Sequence, residues 1–536
     1  MFRSTSALAV VILFGAVEVA SPVDHVRELQ TAASTQNQAS WGHWGPDPAK
    51  YSSWTTHSNR LIPLYAFGMD LTSVNGPRSL YRSAERLEQL YNFMPEKTVN
   101  AEAEYFDQTD VYRLQKLAAD DGKKCIVLVV FDGMDWQTTL AAAIKKSGAV
   151  QYTSGRGTGL HFQDYRGVKT DFGCFVTSPH DEGTKPDVDL QTIKTPGDTR
   201  GGYDWKTAGS TPWDAIQDAE YPISKGRVKH AYTDSAASAT SLTSGIKTYN
   251  DAINVDPFGR QAEPIARTLQ KRGYAIGVVT SVPISHATPA CAYANNVHRD
   301  DYQDLTRDLL GLPSISHPVE PLSGVDVLIG TGWGESPDKD APQGKNFVPG
   351  NRYLTAADRK AIDAKQGGKY HVVERTAGTK GKEHLSAAVK AAIANKQRLL
   401  GFFGTKAGHL PFQTADGGFD PTFNAGKDGK QEGETYSPED IAENPVLADM
   451  TVAALDVLAS RSDRYWLMVE AGDVDWANHA NNIDNSIGAV LSGDDAFRAI
   501  AAWIEANVGW DQSVVLVTAD HGHYLVLNRP EVLAGK

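Results

Sequence analysis

Four long apolar runs dominate the hydrophobic pattern of the chain, and each one ends in acidic or histidine side chains. These runs are CIVLVVFDG (125–133), YAIGVVTSVPISH (274–286), YWLMVEAGDVD (465–475) and SVVLVTADHGH (513–523). Each is almost continuously hydrophobic, as strands buried on both faces are. Helical patterns such as 262–273 and 494–509 lie between them. The alternation predicts an α/β fold: a three-layer α/β/α sandwich with a large, mainly parallel central sheet.

The polar side chains that end these runs are expected to meet. Ligands of parallel sheets bind beyond the carboxyl ends of the strands. The residues placed there are Asp132, His286, Glu470, Asp475, Asp520 and His521. A single acid after a strand is more often a helix cap or a turn former. Acidic side chains recur at the ends of several predicted strands, twice together with a histidine, and this recurrence favours a shared site.

The segment YTDSAASATSLTSGIKTYN (232–250) is the most specific part of the sequence. Ser235 follows an aspartate and opens a run of small residues with helical propensity. Backbone N–H groups and the helix dipole at such a position favour an anion. The alternative is an ordinary N-cap of a small-residue helix, which this segment alone does not exclude.

Metal ligation is the chemistry that the histidines and acids suggest together. Asp475 and His479 are four residues apart, so a helix there would place both on one face, as zinc ligands require. Glu470 ends the preceding strand and suits a hard ion such as magnesium, and Asp132 could bridge two metals. With only three cysteines among 536 residues, His, Asp and Glu must supply the ligands.

The net charge and the N-terminal segment limit the classes of ligand and the cellular location that we expect. The formal net charge of -13 argues against a basic nucleic-acid-binding face. It does not exclude a phosphate ligand, because metals or a few local cations can reverse the sign. Residues 1–21 resemble an export signal, with Arg3 before an apolar core, and no later run is long enough to span a membrane. We therefore expect an exported protein, periplasmic or secreted. The chain length allows one large or two ordinary domains, and the loop-rich segments at 310–450 are expected to be insertions over the active edge.

Several motifs together resemble the alkaline phosphatase family, in that family's order. They are FDGM (131–134), TDSAASATSLTSGIKTYN (233–250), SHATPACAYANNVHRDDYQD (285–304), VEAGDVDWANH (469–479) and TADHGH (518–523). The resemblance implies an alkaline-phosphatase-like fold and the hydrolysis of small-molecule phosphate monoesters through a phosphoserine. It further implies two Zn²⁺ and one Mg²⁺, and a homodimer is a family expectation. The spread of the motifs along the chain favours a single catalytic domain over 22–536.

The resemblance also assigns roles to individual residues. Ser235 matches the nucleophile, and Arg299 matches the arginine that grips two phosphate oxygens. The zinc beside the nucleophile would be held by Asp132, Asp520 and His521, and the leaving-group zinc by Asp475, His479 and a third histidine. The magnesium ligands would be Asp132, Thr288 and Glu470.

The third histidine of the leaving-group zinc is missing from its usual place. Only sixteen residues follow Asp520, and His523 is the single histidine there besides His521. The family counterpart of His523 sits beside the zinc rather than on it. WTTHSNRLIPLYAFG (54–68) instead resembles the family's C-terminal block, with His57 at the ligand position. We therefore predict a circular permutation, with residues 54–75 as the displaced block; the alternative is an ordinary polar turn in a truncated chain.

Two departures from the family pattern concern residues near the expected metals. Asp135 replaces a common glycine and adds a negative charge. His286 stands where some members carry aspartate, which leaves the third site open between magnesium and zinc. Two other functions stay open: a phosphodiesterase or sulfatase-type relative, for which Ser235 is an atypical nucleophile, and a catalytically silent phosphate-binding protein.

Overall fold

A ten-stranded sheet forms the centre of the computed structural model, which describes residues 24–223, 230–426 and 432–535. Its strands are β1 (Ile62–Phe67), β2 (Phe106–Asp107), β3 (Cys125–Phe131), β4 (Thr170–Val176), β5 (Ala275–Pro283), β6 (Val327–Thr331), β7 (Tyr370–Glu374), β8 (Arg398–Phe402), β9 (Tyr465–Ala471) and β10 (Ser513–Thr518). They are ordered β7-β8-β6-β5-β9-β3-β10-β1-β4-β2. Of these ten strands only β1 runs against the others.

Helices cover both faces of the sheet. They are α1 (His25–Gln36), α2 (Ala84–Tyr91), α3 (Thr109–Asp120), α4 (Trp136–Ser147), α5 (His161–Asp164), α6 (Trp205–Ala208), α7 (Ser235–Ser244), α8 (Ile265–Lys271), α9 (Ala287–Cys291), α10 (Tyr302–Leu310), α11 (Ala356–Ile362), α12 (Gly381–Ala394), α13 (Pro438–Ala442), α14 (Leu447–Arg461), α15 (Asp473–His479) and α16 (Ile483–Asn507). Helices α3, α7, α8 and α9 pack together on one face, and α4, α12, α14 and α16 on the other. The predicted α/β/α sandwich with a mainly parallel sheet is confirmed.

The centre of the sheet is apolar because its strands are covered on both sides. Every residue of β3, β9 and β10 is buried, as their continuous hydrophobic runs predict. These three strands are neighbours and end at the same edge, with Glu470 opposite Val130 and Val130 opposite Thr518. The sequence positions that follow them therefore meet in space.

Residues from both ends of the chain complete this edge. Strand β1 pairs antiparallel with β10, and the short strand His57–Ser58 pairs antiparallel with Gly522–His523. A second short pair joins Gly42–Trp44 to Leu525–Leu527. The segment before β1 is thereby held beside the TADHGH motif.

The expectation of loop-rich insertions over 310–450 is wrong for much of that region. Strands β6, β7 and β8 lie within it and form one end of the central sheet, all parallel. Helices α11 to α13 also lie there. The five-residue strands VLIGT and RLLGF each contain a glycine, which lacks a side chain to pack and weakens the strand pattern.

The predicted signal segment, residues 1–21, lies outside the described residues. Within the described ranges, no helix combines the length and the apolar character needed to cross a bilayer.

Candidate active site

Three carboxylates lie side by side where the central strands end. Asp132 directly follows β3, Glu470 is the penultimate residue of β9, and Asp520 lies two residues beyond β10. All three are at most 1% exposed. Burial, together with the neighbouring carboxylates, raises the pKa of Asp132 and of Asp520 well above the ordinary range. Three carboxylates this close together and this deeply buried need a neighbouring cation to remain ionised.

Asp132, Asp520 and His521 form one group of converging ligand atoms, all within 4.8 Å of one another. His521 Nε2 lies 3.2 Å from Asp132 Oδ1 and 3.5 Å from Asp520 Oδ2. Neither of these two oxygens has a hydrogen-bond partner in the described part of the chain. Buried polar atoms are almost always satisfied, so these orphaned oxygens fit a metal site.

His57, Asp475, His521 and His523 form a second group of converging ligand atoms, and His479 lies beside this group. His523 Nε2 lies 2.7 Å from Asp475 Oδ1, and His57 Nε2 and His479 Nε2 each lie 3.5 Å from it. His521 Nε2 lies 3.9 Å away. Burial alone would raise the pKa of Asp475, but His479, His523 and His57 outweigh it and hold that pKa well below its usual range.

His57 and His479 face each other in a way that calls for a shared cation. His57 Nδ1 donates to the Thr233 carbonyl at 2.8 Å, and His479 Nδ1 donates to the Thr55 carbonyl at 2.6 Å. A carbonyl can only accept, so in each neutral ring the Nε2 atom carries a lone pair. These two Nε2 atoms lie 3.1 Å apart. Histidine metal ligands commonly donate their other N–H to a carbonyl.

Burial also keeps these imidazoles in the form that binds metals. The pKa of His57 is lowered by burial and then by His521, and burial lowers the pKa of His479. A neutral ring offers its lone pair without first losing a proton. The pair His57 and His479 therefore meets the electronic requirement as well as the geometric one.

Ser235 is the first residue of α7 and points into this cluster. Asp234 caps the helix by accepting a hydrogen bond from Ala237 N at 2.9 Å. Ser235 Oγ then lies 3.1 Å from His521 Nε2. Ser238, one turn later, donates to the Asp520 carbonyl, which fixes α7 against the strand end. The serine hydroxyl thus sits beside the histidine that belongs to both ligand groups.

Arg299 is held beside the nucleophile by the same cap residue. Its Nη1 donates to Asp234 Oδ2 at 2.9 Å, and its backbone N–H donates to the Asp251 carbonyl at 2.8 Å. Burial would lower the pKa of the guanidinium, but Asp234 and the other nearby acids outweigh it and raise that pKa. The arginine is therefore charged and oriented next to Ser235.

Glu470, Thr288 and His286 form a third set of incompletely bonded atoms. Thr280, which lies opposite Glu470 in the sheet, donates to Glu470 Oε2. Glu470 Oε1, Thr288 Oγ1 and His286 Nδ1 have no hydrogen-bond partner among the residues that the structure describes. Burial raises the pKa of Glu470 to about 8 and, aided by Arg299, lowers the pKa of His286 to about 3. A carboxylate, a hydroxyl and a neutral imidazole suit magnesium or zinc.

Asp135 adds no free negative charge to the cluster. Its carboxylate caps α4 by accepting from Thr138 N at 2.9 Å, and Arg60 pairs with it at 2.8 Å. The residue lies behind the His521–His523 turn, where a Cβ on Gly522 would come within 2.7 Å of the Asp135 Cβ. Its role here is to cap a helix and to pack against that turn.

Most of the atoms that orient the site residues could not be predicted from the sequence. The carbonyls of Thr55 and Thr233 carry no side-chain signal, since any residue type supplies a carbonyl. Thr280 could have been found only from the strand register. Asp234 was the one detectable case, because an aspartate before a small-residue helix is a common N-cap.

Comparison with known proteins identifies related sequences. The family model described as "Alkaline phosphatase" matches residues 219–533. The chain is similar to alkaline phosphatase 4 of Bacillus subtilis, with 29% identity over 54% of this chain and 49% of that protein. It is also similar to the Escherichia coli K12 alkaline phosphatase, with 27% identity over 59% of this chain and 64% of that one. The chain spans about half the length of the first curated relatives that it matches.

Solved structures with a similar chain include two bacterial alkaline phosphatases. The cold-active enzyme from a psychrophilic Shewanella gives a TM-score of 0.42 and 20% identity, over 74% of this chain and 68% of that one. The Thermus thermophilus enzyme gives a TM-score of 0.45 and 20% identity, over 75% and 60%.

Proposed function

Because this chain belongs to the alkaline phosphatase family, we propose that it hydrolyses phosphate monoesters with divalent metals and a phosphoserine intermediate. One observation carries the proposal. Ser235 Oγ lies 3.1 Å from His521 Nε2, and His521 belongs to both groups of converging ligand atoms. A nucleophile at a helix N-terminus beside a two-metal cluster suits phosphoryl transfer.

The ligand sets that we propose follow the contacts around each carboxylate. Asp132, Asp520 and His521 would hold one zinc ion, and Asp475, His479 and His57 the other. Asp132, Thr288 and Glu470 would hold magnesium; the buried, unpartnered Nδ1 of His286, two residues before Thr288, would favour zinc there instead. Orphaned buried atoms of Asp132, Asp520, Thr288 and Glu470 support the first and third sets, and the facing Nε2 atoms of His57 and His479 support the second.

His523 has a different role in this proposal. At 2.7 Å from Asp475 Oδ1, its Nε2–H donates a hydrogen bond and orients the carboxylate toward the metal. Such outer-shell partners fix the geometry and the basicity of a ligand.

Bound metals would lower the pKa of the Ser235 hydroxyl and stabilise the negative charge that develops on the leaving oxygen. Ser235 Oγ attacks phosphorus in line, the ester P–O bond breaks, and the departing alcohol takes up a proton. Water then cleaves the phosphoserine, which releases inorganic phosphate and restores the serine. The dipole of α7 and its first N–H groups favour the dianion at this position.

Arg299 orients the phosphate in this scheme. Asp234 holds Nη1 of the guanidinium, which fixes its plane and leaves its remaining N–H groups to donate to two phosphate oxygens. A lysine at this position would supply charge without the two-pronged geometry.

Replacing Arg299 tests that role. Arg299→Ala should raise KM and weaken inhibition by inorganic phosphate about 10- to 100-fold, since hydrogen bonds to charged groups contribute about 1.5–3 kcal/mol. Arg299→Lys should give a KM and a phosphate inhibition constant between those of the unmodified protein and those of Arg299→Ala. Initial-rate kinetics with phosphate as the inhibitor give both constants. Arg498→Ala, at an exposed pair with Asp495, is the control; equal phosphate affinity in the Arg299 and Arg498 variants would reject the assignment.

Metal removal tests the reaction class. We expect hydrolysis of an aryl phosphate monoester that is lost with a chelator and restored by zinc plus magnesium, with much slower turnover of the matching diester and sulfate. If the diester or the sulfate were hydrolysed faster than the monoester, the protein would be a phosphodiesterase or a sulfatase and not a phosphomonoesterase. A chain that binds phosphate without turning over any of the three esters would be a silent phosphate-binding protein.

The position of His57 supports a further proposal, that the family's C-terminal block has moved to residues 54–75. This block contributes β1 beside β10 and the strand pair at His57–Ser58. Export to the periplasm or the medium, a single catalytic domain, and a homodimer also remain proposals.

A further inference from the structure

A cavity of about 220 Å³ lies on a second face of α15, away from the face that carries Asp475 and His479. Trp476, Ala477 and Ala480 line it. At about 100° per residue these three positions are centred more than a quarter-turn from the two proposed metal ligands. The cavity is therefore separate from the metal cluster.

Four aromatic rings form the walls of this cavity: Phe412, Phe419, Tyr436 and Trp476. We call them the aromatic box. Phe412 and Trp476 are nearly perpendicular at 86° with centroids 6.0 Å apart, and Phe419 and Tyr436 at 89° and 6.5 Å. All four rings are half-buried. Core aromatics pack without leaving space, whereas these rings surround a volume.

The box is held in shape by His409. Its ring stacks on Phe412 at 4.0 Å and lies 5.1 Å from Trp476. His409 Nδ1 donates to the Leu410 carbonyl at 2.6 Å, and its Nε2 lies 2.7 Å from Glu434 Oε2. The segments 409–412 and 434–436 are thus tied together through one buried histidine.

The charged residues around the box favour a cation. Asp420 and Glu434 line the cavity, and neither lysine nor arginine does so among the described residues. Asp420 contacts Arg27 at 3.1 Å, but Arg27 is shared with Asp416 and Asp484. Glu434 is paired with the His409 ring, but on the other side one guanidinium faces three carboxylates, which leaves excess negative charge beside the box.

We propose that the aromatic box binds a small organic cation of the methylated-ammonium type. The negative faces of aromatic rings attract such cations, and a methylated head group has few or no N–H groups that would need acceptors. The volume is below the roughly 300–1,000 Å³ typical of pockets for drug-sized ligands, which suits a compact head group. The proposal concerns binding alone and does not depend on the phosphatase activity.

Choline and its neutral isostere 3,3-dimethyl-1-butanol provide the test on the metal-loaded protein. Isothermal titration should show saturable choline binding, with the isostere at least about tenfold weaker because it lacks the charge that the rings attract. Absence of saturable choline binding, or equal binding of the two compounds, would overturn the proposal. This comparison needs no variant, so it decides the matter even if every substitution unfolds the loops.

Variants locate the site. Phe419→Leu and Tyr436→Leu remove a π face and keep an apolar side chain, so each should weaken choline binding about 3- to 10-fold. Tyr436→Phe keeps the ring and should bind choline as the unmodified protein does. Phe258→Leu changes an exposed ring that does not line the cavity and is the matched control. Unchanged binding in both box variants, with thermal unfolding showing them folded, would place the cation elsewhere.

Discussion

Ser235→Ala is expected to reduce the turnover of an aryl phosphate by at least about 10³-fold, within the range seen for nucleophile knockouts. The reason is chemical: alanine has no oxygen to attack phosphorus, while the proposed metal ligands remain in place. Metal content should therefore stay the same. Steady-state kinetics and elemental analysis of the purified variant measure the two quantities.

Ser241→Ala is the matched control on the same helix. Ser241 Oγ donates to the Ile246 carbonyl at 2.7 Å and not to the cluster, so its loss should cost only about 1 kcal/mol of stability. Mass spectrometry of acid-quenched protein should find phosphate on the peptide that contains Ser235. Near-normal turnover in Ser235→Ala, or phosphate on another residue, would refute the nucleophile assignment.

His57→Ala is expected to lose about one zinc ion per chain and to lower turnover at least about 100-fold, because losing even an outer-shell partner typically costs 10–100-fold. His57 Nε2 faces His479 Nε2 at 3.1 Å, and without it the second ligand set keeps only Asp475 and His479. Zinc titration and turnover on the same sample test both effects.

Three further variants make the His57 result specific. His25→Ala removes an exposed histidine that contacts the Val532 carbonyl and should change neither quantity. His523→Asn should keep its zinc at saturating metal and bind it more weakly, since His523 orients Asp475 instead of ligating. In His57→Gly, added imidazole should restore part of the zinc binding. Full metal content in His57→Ala combined with zinc loss in His523→Asn would show that His523 is the zinc ligand and that His57 is not.

The central fold could be predicted because its strands are unambiguous. The runs that form β3, β5, β9 and β10 are long, β-rich and almost free of polar residues, so burial on both faces follows from sequence. Strands β6, β7 and β8 could not be found in this way. They are five residues long, and their place in the sheet depends on parallel neighbours far apart in sequence.

The site was predictable to the extent that strand ends define it. Asp132, Glu470, Asp520 and His521 meet because β9, β3 and β10 are neighbours. The charge balance of Asp135 could not be read from the sequence, because its partner Arg60 lies 75 residues away. The orientation of His57 likewise depends on a backbone carbonyl, that of Thr233.

The antiparallel strand β1 links the two ends of the described chain. Its pairing with β10 places residues before β1 next to residues after β10, so His57 and His523 become direct neighbours across a short strand pair. Sequence distance is therefore a poor guide to this site. A ligand can be moved from one end of a chain to the other when both ends lie at the same sheet edge.

Anomalous diffraction at the zinc absorption edge, from crystals of the metal-loaded protein, would show directly whether His57 is a zinc ligand. We expect an anomalous peak about 2.0–2.1 Å from His57 Nε2 and His479 Nε2 that is also bound by Asp475, as zinc–imidazole geometry requires. A second peak should lie among Asp132, Asp520 and His521, beside Ser235. A fully occupied peak at Asp475 and His479 with His57 outside its coordination sphere would show that His57 does not complete the zinc site.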